Sequence, residues 1–175
     1  MRRFVVMSGL PASGKTTLGQ RLGAALDLPV LDKDDYLSAL FAEHDDVGPE
    51  LRSKLSRQAD VHLERDARER DAALTISFWR RAELSATSGT PTDWLASLGM
   101  LTEVHCRCPP VVAAARFIVR RRDSGHGDAA RGEADLVEQF EAQARLGPLG
   151  IGRTIVVDTE QTVDVRGLAT MLSSG

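Results

Sequence analysis

One eight-residue stretch near the start of the chain constrains its fold more than any other feature. Residues 9–16 read GLPASGKT and fit the pattern G-x-x-x-x-G-K-[ST] at every defined position. A short β-branched run, RFVVMS, precedes the motif, and an amphipathic pattern follows it. A strand, a glycine-rich turn and a helix N-terminus in this order aim backbone N–H groups and the positive end of a helix dipole at one anion. The stretch therefore predicts a loop that holds the phosphates of a nucleoside triphosphate.

The residues of this loop are expected to divide the work of holding the nucleotide. The predicted cradle consists of Gly9, Pro11, Ala12, Ser13, Gly14, Lys15, Thr16 and Thr17. Lys15 should reach the β- and γ-phosphates, and Thr16 should coordinate Mg²⁺. Thr17 adds a second hydroxyl near the α-phosphate. The motif indicates how a triphosphate is held, and it is silent on the chemistry that follows.

Apolar runs and helical patterns alternate along the rest of the chain. The predicted strands are 2–8, 28–32, 73–78, 101–106 and 153–158, and the predicted helices are 16–26, 35–41, 49–71, 92–98, 110–122, 133–145 and 163–172. This alternation predicts an α/β fold, with a five-stranded, mostly parallel sheet and helices on both faces. We expect a single domain over residues 1–175, with a small lid at about 120–133. Ligands of such sheets bind beyond the carboxyl ends of the strands.

Composition excludes several other classes of protein. The net charge is −3, so no molecule-wide basic field attracts nucleic acid, which is an unlikely partner. The two cysteines, Cys106 and Cys108, suffice for neither a disulfide framework nor a zinc site. No apolar run is long enough to span a membrane. We expect a cytoplasmic monomer, and a weak homodimer stays open.

The segment LDKDDY, residues 31–36, favours phosphoryl transfer to a hydroxyl group. Such transfer needs a positioned carboxylate to accept the hydroxyl proton. Asp34, where the chain leaves the sheet, is the predicted general base. Asp32 ends the second strand and is expected to hold a Mg²⁺-bound water. Asp35 either contacts the acceptor or caps the next helix.

A second segment, ARFIVRRR, places Arg116 and Arg120 on one helix face. Forked guanidiniums suit phosphate oxygens, so both residues are predicted to contact the nucleotide, and Arg120 to meet charge on the moving phosphoryl group. The third strand has no acidic residue at its end, and the chain contains no Asn for a guanine-reading Asn-Lys-x-Asp motif. Both observations argue against a regulatory GTPase.

Four motifs together resemble those of the small P-loop kinases: GLPASGKTT, LDKDDY, CPPVVAAARFIVRR and VVDT. This group contains polynucleotide kinase, zeta-toxin-like kinases, chloramphenicol phosphotransferase, and gluconate and shikimate kinases. The resemblance implies a nucleoside-kinase-like fold, ATP as donor and Mg²⁺ as its partner. It implies that Asp34 is the base and that Arg116 and Arg120 lie near the nucleotide. It also implies that the turn at Asp158 and Thr159 borders the adenine.

The acceptor is less constrained than the donor. LDKDDY resembles the acceptor-side segment of polynucleotide kinase, but Leu37 stands where that kinase has a phosphate-gripping Arg. This favours a small hydroxyl compound, such as an antibiotic, a sugar or a nucleoside. The predicted acceptor contacts are Asp34, Asp35, Phe41, Phe78, Trp79 and Arg80. The alternatives are a 5′-hydroxyl polynucleotide or nucleotide-sugar kinase of zeta-toxin type, and a non-catalytic ATP-binding module.

Overall fold

A five-stranded parallel sheet forms the centre of the protein. The computed structural model describes residues 2–123 and 132–174. Its strands are β1 (Arg3–Gly9), β2 (Val30–Asp32), β3 (Ala72–Ile76), β4 (Met100–Arg107) and β5 (Arg153–Asp158). They lie in the order β2-β3-β1-β4-β5, and every neighbouring pair is parallel. The predicted α/β class, the strand number and the parallel arrangement are therefore confirmed. The strand with the most uniformly apolar pattern, β1, takes the central position, where both of its faces are buried.

Within the described residues, six α-helices connect and cover these strands. They are α1 (Lys15–Leu26), α2 (Lys33–Phe41), α3 (Pro49–Arg68), α4 (Pro110–Asp123), α5 (Glu133–Arg145) and α6 (Val165–Ser173). No helix within residues 2–123 and 132–174 has the length and apolar character needed to cross a membrane. Of the predicted lid at 120–133, residues 124–131 lie outside the described residues. The helices on either side of that segment, α4 and α5, pack against each other.

Two of the predicted helices differ from the structure for reasons that local contacts explain. The helix predicted at 35–41 begins at Lys33, because the Asp32 side chain accepts a hydrogen bond from Asp34 N and caps it. Asp35 is therefore not the cap. The helix predicted at 92–98 is only a 3₁₀ turn, Leu95–Ser97. It stops at Gly99, whose φ of +128° is incompatible with a continuing helix.

The sheet carries a separate apolar layer on each face. On one face, α1 and α6 pack over a cluster that includes Leu22, Leu74 and Val104. The close approach of α1 is confirmed, since a Cβ on Gly19 would lie 2.6 Å from Ile76 Cδ1. On the opposite face, α3 and the 3₁₀ turn cover a cluster that includes Leu63. With both faces covered, the carboxyl ends of the strands form the open edge.

Candidate active site

The glycine-rich loop wraps around the carboxyl end of β1 in the conformation that the motif predicts. Gly9, Ala12 and Gly14 all have positive φ angles, of +128°, +56° and +90°. Gly9 also lies against β4, because a Cβ there would be 2.4 Å from Cys106 O. Helix α1 begins directly at Lys15. The N-terminal N–H groups of that helix therefore face the space beyond the sheet, as an anion site requires.

Lys15 is buried at the floor of this loop. Its Nζ donates to Leu10 O at 2.7 Å and to Gly9 O at 3.1 Å. Burial is the main reason that the pKa of Lys15 falls to about 8, and the cation of Arg120 lowers it further, whereas the carboxylates of Asp32 and Asp34 oppose that fall. Asp32 and Asp34 at the end of β2, and Arg120 in α4, are thus within electrostatic range of the Lys15 ammonium group. The phosphates of a nucleotide would supply the negative charge that this buried lysine lacks.

Thr16 and Asp32 form the candidate magnesium position. Thr16 Oγ1 donates to Asp32 Oδ2 at 3.1 Å, and Asp32 is almost fully buried. Burial is the largest cause of the raised pKa of Asp32, so a divalent cation would stabilise its carboxylate. The described residues contain no cluster of three or more His, Cys, Asp or Glu side chains fit to hold a metal. A hydroxyl and one carboxylate suit Mg²⁺, which keeps several waters and binds substrate phosphates.

These residues line one side of a cleft of about 970 Å³, called the main cleft below. Pro11, Ala12, Gly14, Lys15, Thr16 and Thr17 contribute from the loop, and Asp32 and Asp34 from the end of β2. Ser77 and Phe78 extend the wall after β3. The opposite wall comes from α4 and α5, and it includes Arg116 and Arg120. A cleft of this size accommodates a nucleotide and part of a second substrate.

The residues predicted to bind the nucleotide do not all line the main cleft, and Arg116, which does, has a further contact. Ser13 is buried in the loop, and its Oγ has no hydrogen-bond partner among the described residues. The Arg116 guanidinium, on the cleft wall, also donates to Cys108 Sγ at 3.6 Å. Asp158 forms an ion pair with Arg107 at 3.1 Å. Thr159 packs beside the loop, 3.7 Å from where a Cβ on Gly14 would stand.

The predicted acceptor contacts separate into three groups. Asp34 and Phe78 line the main cleft, whereas Asp35 is exposed in the first turn of α2 and does not. Trp79 is not a wall of that cleft. Its indole is buried in the core and donates to Met7 O at 2.8 Å, since a buried N–H needs an acceptor. Phe41 packs in the apolar cluster between α2 and α3.

Arg80 lines a second cleft, of about 470 Å³, between α3 and the segment that follows β3. We call this the basic cleft, and its charged residues are Lys33, Arg52, Arg57, Asp60 and Arg80. Of these residues, only Arg80 is predicted from the sequence as an acceptor contact, because the charged residues of α3 read as the solvated face of an amphipathic helix. The available signal was Lys33, one of three lysines in a chain with 22 basic residues.

The strand order, the loop and the carboxylates beside it define a P-loop nucleotide-binding protein with the fold of the small P-loop kinases. The chain belongs to the AAA_33 family of AAA domains, whose family model matches residues 4–146. No match was found among proteins with curated descriptions.

Solved structures with this fold include several kinases. A Chloroflexus aurantiacus protein with a provisional assignment as a kinase has a TM-score of 0.77 at 22% identity, and the match covers 99% of this chain and 97% of that one. A shikimate kinase from Bacteroides thetaiotaomicron has a TM-score of 0.56 at 16% identity, covering 98% and 96%. A gluconokinase from Sinorhizobium meliloti has a TM-score of 0.52 at 18% identity, covering 99% and 94%. At these identities the likeness is one of fold.

Proposed function

We propose that this protein is an ATP-dependent kinase that transfers the γ-phosphoryl group of ATP to a hydroxyl group of a small molecule. The observation that carries the proposal is the position of Asp34. Its carboxylate lines the same cleft as Lys15 and Thr16 and influences the pKa of that lysine. A protein that only binds ATP needs the loop but has no use for a carboxylate placed beside the phosphates.

The residues of the main cleft suit in-line phosphoryl transfer. The acceptor oxygen forms a bond to the γ-phosphorus while the bond to the β-phosphate oxygen breaks, and ADP leaves. Asp34 takes the proton of the acceptor hydroxyl. Lys15, from the loop, and Arg120, from the opposite wall, stabilise negative charge on the phosphoryl oxygens. When bound at Thr16 and Asp32, Mg²⁺ would neutralise charge on the β- and γ-phosphates.

The test replaces Asp34 and compares it with its neighbour. The Asp34→Asn protein should bind ATP as the wild type does, whereas its rate of phosphoryl transfer should fall about 100-fold or more, because a general base contributes that much. Asp35→Asn is the matched comparison, since it removes the same charge one residue outside the cleft. Transfer is measured with γ-labelled ATP and a broad panel of hydroxyl compounds, and ATP binding by calorimetry.

Three outcomes would contradict parts of this proposal. Unchanged transfer by Asp34→Asn would exclude Asp34 as the base and leave the kinase assignment in place. Loss of transfer only in Asp35→Asn would move the base to Asp35. If the wild type binds ATP but phosphorylates no small molecule, nucleotide sugar or 5′-hydroxyl oligonucleotide, the kinase proposal fails and a non-catalytic ATP-binding module remains.

A further inference from the structure

The geometry of the basic cleft points to a substrate class: we propose that it binds an anionic group of the phosphoryl acceptor, a carboxylate or a phosphate. The acceptor would then be a small hydroxyl compound that carries negative charge, such as a sugar acid or a sugar phosphate. This inference rests on the kinase function proposed above, and it adds to that function a site outside the main cleft.

The basic cleft carries an excess of positive charge. Four cations line the basic cleft, and its one carboxylate, Asp60, forms an ion pair with Lys33 at 2.7 Å. Across the parts of the chain that the structure describes, neither Arg52 nor Arg57 nor Arg80 forms an ion pair. The whole chain has a net charge of −3, so this local excess of positive charge runs against the average. Such an excess in a cleft attracts an anion.

Asp60 does not repel an anion in the basic cleft, because its carboxylate is already paired. Besides the Lys33 ammonium, its Oδ1 accepts a hydrogen bond from Thr90 Oγ1 at 2.6 Å. Its side chain is only 14% exposed. The carboxylate is thus neutralised by partners on two other segments, α2 and the segment after β3. The positive charge of the three arginines remains uncompensated.

Contacts within the protein orient the arginines of the basic cleft. Arg80 N donates to Thr90 O at 2.8 Å, and a Cβ on Gly89 would lie 2.8 Å from Arg80 N, so the backbone is fixed on both sides. The Arg80 Nε atom is buried without a hydrogen-bond partner among the described residues. Arg57 Nη1 donates to Ser53 Oγ at 2.8 Å, and the Arg52 guanidinium lies 5.3 Å from the centre of the Phe41 ring. Arg52 and Arg57 are exposed, so these contacts orient their guanidiniums without immobilising them, and the remaining N–H donors suit a forked contact with carboxylate or phosphate oxygens.

The basic cleft lies next to the main cleft, where Asp34 is proposed to act. Lys33 lies between Asp32 and Asp34 in sequence and points its ammonium group at Asp60. Thr90 Oγ1 in turn lies 2.5 Å from Ser77 Oγ, and Ser77 lines the main cleft. Lys33, Ser77 and Thr90 are all buried, so the two clefts lie on either side of a polar wall. In the proposed complex the acceptor reaches across this wall, with its anionic group among the arginines and a hydroxyl group towards Asp34.

Leu37, which stands where polynucleotide kinase has a phosphate-gripping Arg, contributes no cation to this cleft. It is partly buried and packs in the apolar cluster between α2 and α3. The three arginines come instead from α3 and from the segment after β3, beside Lys33 of α2. A volume of about 470 Å³ is within the range of small-molecule sites.

The experiment compares related acceptors with and without an anionic group. The matched pairs are gluconate with glucose, glycerate with glycerol, and glucose 6-phosphate with glucose, and a 5′-hydroxyl oligonucleotide is added. The variants are Arg57→Gln and Arg80→Gln, and Arg21→Gln on the exposed side of α1 is the control. Transfer is measured with γ-labelled ATP. Binding of each acceptor is measured by calorimetry in the presence of a non-hydrolysable ATP analogue.

We expect transfer to an anionic acceptor and much less to its neutral partner. Each substitution in the basic cleft should raise the KM for the anionic acceptor about 10- to 100-fold, the usual effect of losing a hydrogen bond to a charged group, with the KM for ATP unchanged. Arg21→Gln should behave as the wild type. The sugar acid and the sugar phosphate distinguish a carboxylate site from a phosphate site.

The outcomes separate this inference from the proposed function. Preferred transfer to neutral acceptors, or equal KM values in Arg57→Gln, Arg80→Gln and the wild type, overturns the inference and leaves the kinase in place. Preferred transfer to the oligonucleotide also overturns it. If no compound is phosphorylated but the anionic probes bind in an arginine-dependent manner, the kinase proposal fails and the anion site stands.

Discussion

Single residues at the carboxyl end of β1 decide whether the phosphate loop can form. Gly9 has a φ of +128°, and its Cα lies against β4. A side chain there meets two obstacles at once: a left-handed backbone that L-residues avoid, and the carbonyl oxygen of Cys106, which is main chain and cannot rotate away. A substitution at Gly9 should therefore be much more damaging than one at an ordinary loop glycine.

We predict that Gly9→Ala weakens ATP binding at least about 10-fold. A tenfold loss of affinity corresponds to about 1.4 kcal/mol, and backbone strain of this kind commonly exceeds that energy. The measurement is calorimetric titration with MgATP. Gly48→Ala is the control, since nothing lies within 4 Å of the Cβ it adds. Equal affinities for the two variants would contradict the close approach of Gly9 to β4.

The two cysteines allow a second prediction at this scale. Cys106 is 1% exposed, and burial raises the pKa of its thiol to about 12, while burial also raises the pKa of Cys108. Because the thiolate is the reactive form, both should react with iodoacetamide at pH 8 at least about 100-fold more slowly in the folded protein than in the unfolded chain. Mass spectrometry with and without denaturant measures both rates. Fast labelling of the folded protein would show that the thiols are accessible.

The raised pKa of Cys106 also makes the stability of the protein depend on pH. The folded protein keeps the Cys106 proton up to a higher pH than the unfolded chain does. The unfolded chain therefore binds fewer protons above pH 9, and stability falls as the pH rises from about 9 towards 12. Below pH 9 both states keep the proton, so the stability does not vary with pH through this group.

At the scale of elements, one buried carboxylate joins β4 to the segment that leads into β5. Glu103 is fully buried in β4 and accepts hydrogen bonds from Leu149 N at 2.7 Å and Gly150 N at 3.0 Å. It also accepts from Ser8 Oγ at 2.5 Å, next to the phosphate loop. Arg81 reinforces the segment by donating to the carbonyl groups of Gly147 and Pro148. The segment is thereby fixed against the sheet edge where the loop lies.

We predict that Glu103→Ala lowers the free energy of unfolding by about 3–5 kcal/mol, because it leaves several buried donors unsatisfied. Glu64→Ala is the control, since it removes only a partly exposed pair with Arg68 and should change the free energy by less than about 1 kcal/mol. Urea denaturation followed by circular dichroism gives both values. A small effect of Glu103→Ala would mean that water replaces the carboxylate without loss.

At the scale of the whole molecule, the main cleft is built from segments that are distant in sequence. The phosphate loop, the end of β2, the end of β3, α4 and α5 all contribute to its walls. A nucleotide that contacts these segments stabilises them together, since the site exists only in the folded state.

We predict that MgATP raises the melting temperature. At a concentration 100 times the Kd, binding adds about 2.7 kcal/mol, which corresponds to a shift of about 5–11 °C for a chain of this size. Lys15→Ala should lose most of this shift. Differential scanning calorimetry measures it, and GTP in place of ATP tests whether the purine base is distinguished. An equal shift in Lys15→Ala would contradict the role of Lys15 in binding phosphate.

The sequence by itself determined the fold class and the position of the phosphate loop. The pattern of residues 9–16 has a local cause, since glycines, a lysine and a helix start act within one turn of chain. The prediction of the central strand has a similarly local cause, because a strand buried on both faces, such as β1, is continuously apolar. The position of Asp34 also followed from the end of a strand.

Only the tertiary structure decided which of the residues predicted to contact an acceptor line a cleft. Trp79 reads as a pocket wall in sequence, and it is the packing of its indole against Met7 O that makes it a core residue. Arg52, Arg57 and Asp60 read as solvated residues of an amphipathic helix, and the segment carrying Arg80 and Thr90 turns that face of α3 into a cleft. Contacts between segments far apart in sequence depend on how helices dock, and no local pattern of residues encodes them.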